Sequence, residues 1–252
     1  MIRIEHLDAV ATVVLSRPPV NAIDPAFVSA LNKALDEIER AEPTAVVIRS
    51  DQKCFCAGAD LSLIRGFFTE PGGVDAMVAY VKTLHMLFDR LESLEAVTLA
   101  VIDGPALGGG LELALSCDLR IASARSKIGL PEARVGMIPG AGGTQRLTRL
   151  CGPGVASRLI LGGEIVDGAE AARLGIVQWS ATAQDLDARV LEITTRIAGL
   201  SRPALLASKD CIAAWSDPDA DGYARELKKP RTLMNTKEAR TRIEGFFAPK
   251  AN

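Results

Sequence analysis

Histidine is nearly absent from this chain of 252 residues, which has only His6 and His85. Catalysis by an imidazole base therefore has almost nothing to draw on, and no Gly-x-Ser-x-Gly turn is present to carry a serine nucleophile. His85 falls among the leucines of a helical pattern and reads as a packing or surface residue, and His6 reads as a strand residue. Cysteine is scarce and odd in number at five, with Cys54-Phe55-Cys56 as the one close pair. No second Cys or Cys/His pair stands at metal-site spacing, so zinc is not expected and the thiols read as those of a reduced, cytoplasmic protein. Neither sign of charge is in surplus: 29 basic residues face 31 acidic ones, which denies the chain the basic footprint of a nucleic-acid binder. No run approaches the ~18 apolar residues of a membrane span. The opening Met1-Ile2-Arg3-Ile4-Glu5 lacks the apolar stretch of a signal peptide. Nucleotide-binding loops are missing as well, because no Gly-Lys-Ser/Thr occurs and Gly108-x-Gly110 is followed by Leu113 where a dinucleotide fingerprint needs Gly or Ala.

What is present is 48% hydrophobic residues, enough for a sizeable core, and 22 glycines. The pattern alternates short β-rich runs with helical ones. Ile2–Ile4 and Ala11–Leu15 read as a strand pair ended by Pro18-Pro19. Asp24-Pro25 reads as an N-cap and first turn of a helix with Phe27, Leu31, Leu35 and Ile38 on one face. Strands are predicted over Ala45–Ile48, Val97–Ile102 and Asp118–Ala122, a long helix from about Val74 to Leu94, and a buried helix behind Gly108-Gly109-Gly110. From Pro153 onward the pattern predicts helices near 153–161, 183–199, 203–215 and 220–229, with a tail ending at Phe246-Phe247. The organisation is thus an α/β core over 1–200 and a helical C-terminal region over 201–252.

Two turns stand out for their small residues, Ala57-Gly58-Ala59 and Gly108-Gly109-Gly110, each leading from a strand region into a helix. A backbone without bulky side chains can approach a ligand, and the first amides of a helix lack partners within it. Taken singly each is an ordinary tight turn, but two such amides converging on one point would form an oxyanion hole. Two carboxylates accompany them. Glu112 lies in a helical first turn among Leu111, Leu113 and Leu115, where desolvation would raise its pKa toward that of a working acid or base. Complementing the helix dipole is its simpler role. Glu132 follows Pro131 and could equally be an N-terminal helix residue, so the residues alone leave both roles open.

Four motifs in order carry a resemblance. They are Phe55-Cys56-Ala57-Gly58-Ala59-Asp60-Leu61, Ala106-Leu107-Gly108-Gly109-Gly110-Leu111-Glu112-Leu113-Ala114, Pro131-Glu132, and Gly136-Met137-Ile138-Pro139-Gly140-Ala141-Gly142-Gly143-Thr144-Gln145-Arg146-Leu147. Together they resemble the enoyl-CoA hydratase/isomerase (crotonase) superfamily over nearly the whole chain. The resemblance implies a core of repeated ββα units with C-terminal helices that build a homotrimer or a dimer of trimers. It implies an acyl-CoA substrate, with coenzyme A as part of that substrate and no separate cofactor or metal. It assigns the oxyanion-hole amides to Ala59 and Gly109, the acid/base pair to Glu112 and Glu132, and contacts with acyl-CoA to Val20, Ala22, Ala57, Asp60, Leu61, Leu107, Gly108 and Pro131. Hydratases of the superfamily carry both glutamates whereas double-bond isomerases typically keep the second, so hydration of a trans-2-enoyl-CoA is expected, isomerase or non-catalytic acyl-CoA binding being the alternatives. The chain departs from the pattern at Ser62, where many hydratases place a lysine near the CoA phosphates. It also departs at Arg17-Pro18-Pro19-Val20-Asn21-Ala22, one residue short, and in a lengthened stretch between Leu61 and Val97 that borders the acyl pocket.

Overall fold

The computed structural model describes residues 1–217 and 219–247. The chain opens with an antiparallel pair, β1 (Ile2–Leu7) and β2 (Val10–Leu15). Helix α1 (Pro25–Ala41) follows, capped by Asp24, whose side chain accepts the Phe27 amide at 2.8 Å. Proline at the first turn and the i, i+4 spacing of Phe27, Leu31 and Leu35, all fully buried with Ile38, explain why this segment is helical and which face it hides.

Next come β3 (Ala45–Ser50), α2 (Leu61–Thr69), α3 (Gly73–Glu92), β4 (Val97–Ile102), β5 (Ala106–Leu107), α4 (Gly109–Leu115), β6 (Leu119–Ser123) and β7 (Lys127–Gly129). The second half holds α5 (Gly143–Ile160), β8 (Ile165–Asp167), α6 (Gly168–Arg173), β9 (Trp179–Ala181), α7 (Leu186–Ala198), α8 (Arg202–Ala213), α9 (Gly222–Leu233) and α10 (Lys237–Phe247). The larger sheet has the order β1-β2-β3-β4-β6-β9 and is parallel after its first pair; the smaller has the order β5-β7-β8. Two successive ββα units, β4–β5–α4 and β6–β7–α5, each place one strand in each sheet.

Both faces of the larger sheet are covered, which is why β3 and β4 read as continuous apolar runs. Val46, Ile48, Ala100 and Ile102 point into the core shared with α1 and α3. Their neighbours Ala45, Val47, Leu99 and Val101 point the other way, against Leu186, Val190, Ile193 and Ile197 of α7. Helix α8 is fastened to the sheet by Lys209, whose Nζ donates to the carbonyls of Leu94 and Ala96 and to Asp118 Oδ2 at 2.8–3.0 Å.

The all-helical reading of the chain beyond Pro153 is corrected by β8 and β9, the second of which extends the main sheet beside β6. Three-residue strands are too short to display a period, and only pairing reveals them. The expected helix at 153–161 is the second half of α5: Gly152 (φ 80°, ψ 165°) is not helical, so a first helix from Gly143 ends before it and a second begins at Pro153, and the sequence reading lacked only the first of them. Helix α2, absent from the sequence reading, is nucleated by Asp60, whose Oδ1 accepts the amides of Ser62 and Leu63.

Candidate active site

The parallel strands β3 and β4 are neighbours, and the loops leaving their carboxyl ends carry the two small-residue turns, the usual location of ligand sites in α/β sheets. Two isolated bridges, Ile23 to Ala59 and Cys56 to Ala106, draw those loops together. Gly58 has φ 95°, and a Cβ there would lie 3.0 Å from the Gly109 nitrogen and 2.9 Å from the Leu107 carbonyl oxygen. Gly108 has φ 52° and ψ −128°, a conformation that glycine alone adopts readily, and a Cβ there would stand 2.8 Å from Glu132 Oε1.

The contact decides which amides remain free. Asp60 N–H donates to the Ile23 carbonyl at 2.9 Å and Gly108 N–H to the Gly129 carbonyl at 3.0 Å. The amides between and beside them, on Ala59 and Gly109, donate to no protein acceptor among the described residues. They are close, since a Cβ built on Gly109 would lie 3.5 Å from the Ala59 nitrogen.

Glu112 projects from the first turn of α4 and is 2% exposed. Its Oε1 accepts the Gly143 amide at 2.7 Å. Burial pushes its pKa up to about 7; the Gly143 amide opposes the rise and the nearby charge of Glu132 adds to it. Glu132 opens a single 3-10 turn, Glu132–Val135, reached from β7 through Leu130-Pro131. Burial raises its pKa as well, and its Oε2 is buried with no hydrogen-bond partner among the described residues. Two carboxyls that feel one another titrate as a pair.

These groups line one cavity of about 540 Å³. Ala57, Gly58, Ala59, Leu61, Leu107, Gly108, Gly109, Glu112, Pro131 and Glu132 all contribute to its wall. Val20, Ala22 and Asp60 do not line it, and each makes hydrogen bonds within the surrounding loops. The Val20 carbonyl accepts Ala57 N–H at 3.0 Å, the Ala22 carbonyl accepts the Arg17 guanidinium, and the Asp60 carboxylate caps α2. Much of the rest comes from the stretch between Leu61 and Val97, which the resemblance places beside an acyl pocket, though its individual wall residues were not named, and Val135 adds to it beyond Glu132. Ile64, Arg65 and Phe68 come from α2, and Met77, Tyr80, Val81 and Leu84 from α3. Arg134, Met137, Ile138, Gly140 and Ala141 come from the segment between β7 and α5. The 77, 80/81, 84 spacing on α3 is a helical stripe, legible as periodicity, but nothing local says that the stripe faces a cavity. The Tyr80 hydroxyl donates to the Ile23 carbonyl at 2.8 Å, so that side chain presents mainly its ring to the cavity. His85 is exposed, with Nε2 at 2.5 Å from the Gly140 carbonyl, and His6 is exposed on β1 beside Glu37. Among the described residues no group of three or more His, Cys, Asp or Glu is placed to hold a metal ion.

The arrangement offers two free amide donors, two desolvated carboxyls of raised pKa and a chamber that is otherwise mostly apolar, with Arg65 and Arg134 also in its wall. That combination suits chemistry in which negative charge grows on a carbonyl oxygen while protons move on neighbouring atoms.

Comparison with known proteins agrees with this geometry. A sequence model of the enoyl-CoA hydratase/isomerase family matches residues 5–248. The Arabidopsis thaliana protein named probable enoyl-CoA hydratase 2, mitochondrial, is 39% identical over 238 residues, covering 93% of this chain and 76% of that one. The short-chain-enoyl-CoA hydratase of Clostridium acetobutylicum is 36% identical over 256 residues, covering 96% of each. The crystal structure of an enoyl-CoA hydratase from Bacillus anthracis superposes with a TM-score of 0.89 at 30% identity, covering 97% of this chain and 95% of that one.

Proposed function

Because the chain belongs to the enoyl-CoA hydratase/isomerase family, with its crotonase fold, we propose that it catalyses the reversible hydration of a trans-2-enoyl-CoA to a 3-hydroxyacyl-CoA. The observation that carries the reading is the buried Glu112 facing Glu132 across one cavity with two uncommitted amides. In this reading the thioester carbonyl oxygen accepts hydrogen bonds from Ala59 N–H and Gly109 N–H. Water, held and deprotonated by Glu112, adds its oxygen to the β-carbon. The electron pair of the double bond moves toward the thioester, where the two amides stabilise the enolate-like charge, and Glu132 delivers a proton to the α-carbon. The substrate gains one water across one double bond, the enzyme is restored when the proton left on Glu112 is lost to solvent and Glu132 takes one up, and the reverse steps expel the water.

Purified protein is expected to bleach the ultraviolet absorbance of the conjugated enoyl thioester when given crotonyl-CoA or a longer trans-2-enoyl-CoA; absence of bleaching with all of them sinks the reading. Double-bond isomerisation is the second reading, favoured by the Oε2 atom of Glu132, which has no partner among the described residues and could shuttle a proton by itself. Glu112→Ala separates the two, since it should abolish hydration and leave isomerisation largely intact.

Self-association through residues 201–252, as a trimer or a dimer of trimers, belongs to the same proposal. Trp215, Tyr223, Leu227, Phe246 and Phe247 are each at least 78% exposed in the single chain, more apolar surface than a monomer usually leaves in water. Sedimentation equilibrium giving three or six copies is the expected result.

A further inference from the structure

Arg146 sits in the first turn of α5, and only 9% of its side chain is exposed. Its guanidinium is the meeting point of two segments. Nη1 donates to the Ala141 carbonyl at 3.0 Å, Nη2 to Asp89 Oδ1 at 2.6 Å, and Nε to Glu92 Oε2 at 2.9 Å, the two carboxylates lying in the last turns of α3. The chain from Ala141 to Gly143 is thereby tied to α3, and it is this segment whose Gly143 amide reaches Glu112 Oε1 at 2.7 Å. A second tie from α3 runs from His85 Nε2 to the Gly140 carbonyl. The fit leaves no slack, since a Cβ on Gly143 would lie 2.8 Å from Glu112 Oε1 and 2.9 Å from Pro139 Cβ.

The backbone groups that act on the Glu112 carboxyl, the Gly143 amide at 2.7 Å and the Ala141 amide beside it, both belong to one glycine-rich segment, so the carboxyl is held only as firmly as that segment. The backbone of Ala141-Gly142-Gly143, with Gly142 at φ 100°, has wide conformational freedom unless something outside it sets its course. The planar guanidinium binds two carboxylates and a carbonyl through donors in a fixed fork, whereas a lysine ammonium, though it also has three donors, is a point charge on a flexible stem and does not fix their directions.

We infer that Arg146 is a positioning residue for Glu112: it clamps the Ala141–Gly143 segment against α3 so that the Gly143 amide fixes the carboxyl orientation required for water. The inference rests on the hydration reading for its kinetic consequence, but the clamp itself can be observed without turnover. The charged and titratable groups facing Glu112 are Glu132 from the 3-10 turn, Arg146 from α5 and Tyr80 from α3. Losing the cation and loosening the amide both disfavour the carboxylate, so the two effects act in the same direction.

The test is Arg146→Met in the full chain, with Arg146→Lys as the conservative variant. kcat for hydration should fall ~10- to 100-fold with KM nearly unchanged, the scale expected when a reacting group is misplaced by about 1 Å. The limb of the pH profile that reports Glu112 should move up by about one unit. Arg146→Lys should fall between Arg146→Met and the parent. Because Arg146→Met could fail to fold, Asp89→Asn/Glu92→Gln, which alters only exposed partners of the clamp, is read in the same way. The Glu112 titration is also followed directly by carboxyl-carbon NMR, its signal identified by its loss in Glu112→Gln. If the parent protein hydrates nothing, the hydration reading fails while the NMR shift still judges the clamp. A titration unmoved in the folded variants overturns the positioning role, whatever happens to kcat.

Discussion

Glu112 and Glu132 face one cavity from supports of opposite kind. Glu112 stands on a helix whose seven residues are all buried, is 2% exposed, and has one oxygen tied to a backbone amide. Glu132 stands on a single 3-10 turn with no buried residue, and one of its oxygens is buried without a partner among the described residues. The first carboxyl is held, the second is left with an acceptor to spare. A group that orients a water profits from the first arrangement, and a group that hands a proton to carbon from the second, because a hydrogen bond to the protein would compete with the substrate.

The strongest way to break that comparison is to remove each carboxyl in turn. Glu132→Gln is expected to lower both hydration and isomerisation by roughly 10²- to 10⁴-fold, the usual worth of a general acid or base. Glu112→Gln should do the same to hydration alone; equal loss of isomerisation in coupled assays would erase the division of roles. Gly108→Ala comes next, because its Cβ would push on Glu132 Oε1 at a φ of 52° and displace the turn that presents Gly109 N–H. A kcat loss of about 10²- to 10³-fold is expected, comparable to deleting an oxyanion donor.

A subtler effect concerns stability. The pKa of Glu112 is raised in the folded state to about 7 from an ordinary 4.5, so the unfolded chain releases this proton first as pH rises. Folding stability therefore falls between those values and stays lower above pH 7. Glu112→Gln should accordingly be more stable than the parent at pH 8, by up to about 3 kcal/mol, and show little gain at pH 4, as read from urea unfolding at the two pH values. No gain at pH 8 would show that Glu112 is not the strained member of the pair. The smallest effect sharpens the coupling between them. Removing the Glu132 charge should move the Glu112 limb of the pH profile of residual activity to lower pH, by less than a unit, since that charge adds to the rise but burial dominates it.

Much of the site was legible in the residues. Gly58 and Gly108 stood out because a backbone that must turn with positive φ, or pass close to another, demands glycine locally. Glu112 stood out because a carboxylate among leucines is anomalous whatever surrounds it. Val20, Ala22 and Asp60, which the resemblance assigns to acyl-CoA contacts, lie outside the wall of this cavity, and their hydrogen bonds hold the loops around it. The resemblance pointed to the stretch between Leu61 and Val97 as a border of the pocket, and α2 and α3 do line the cavity; which of their side chains face it was not legible, because that depends on packing. Nor were β8 and β9, where three residues carry too little pattern to separate a strand from a helix flank.

By itself the sequence determined the chemistry available: no imidazole base, two carboxylates in apolar or proline-flanked settings, glycines where the backbone must turn, and the alternating order of strands and helices. Those properties are written in single residues and short periods. Only the tertiary structure decided that the Ala59 and Gly109 amides meet while their neighbours are committed elsewhere, and that Gly143, 31 residues beyond Glu112, supplies its hydrogen bond. It likewise decided which helical stripes close the chamber. Convergence of this kind depends on how β3 and β4 pair and how α3 and α5 pack, and packing couples residues that no local pattern connects.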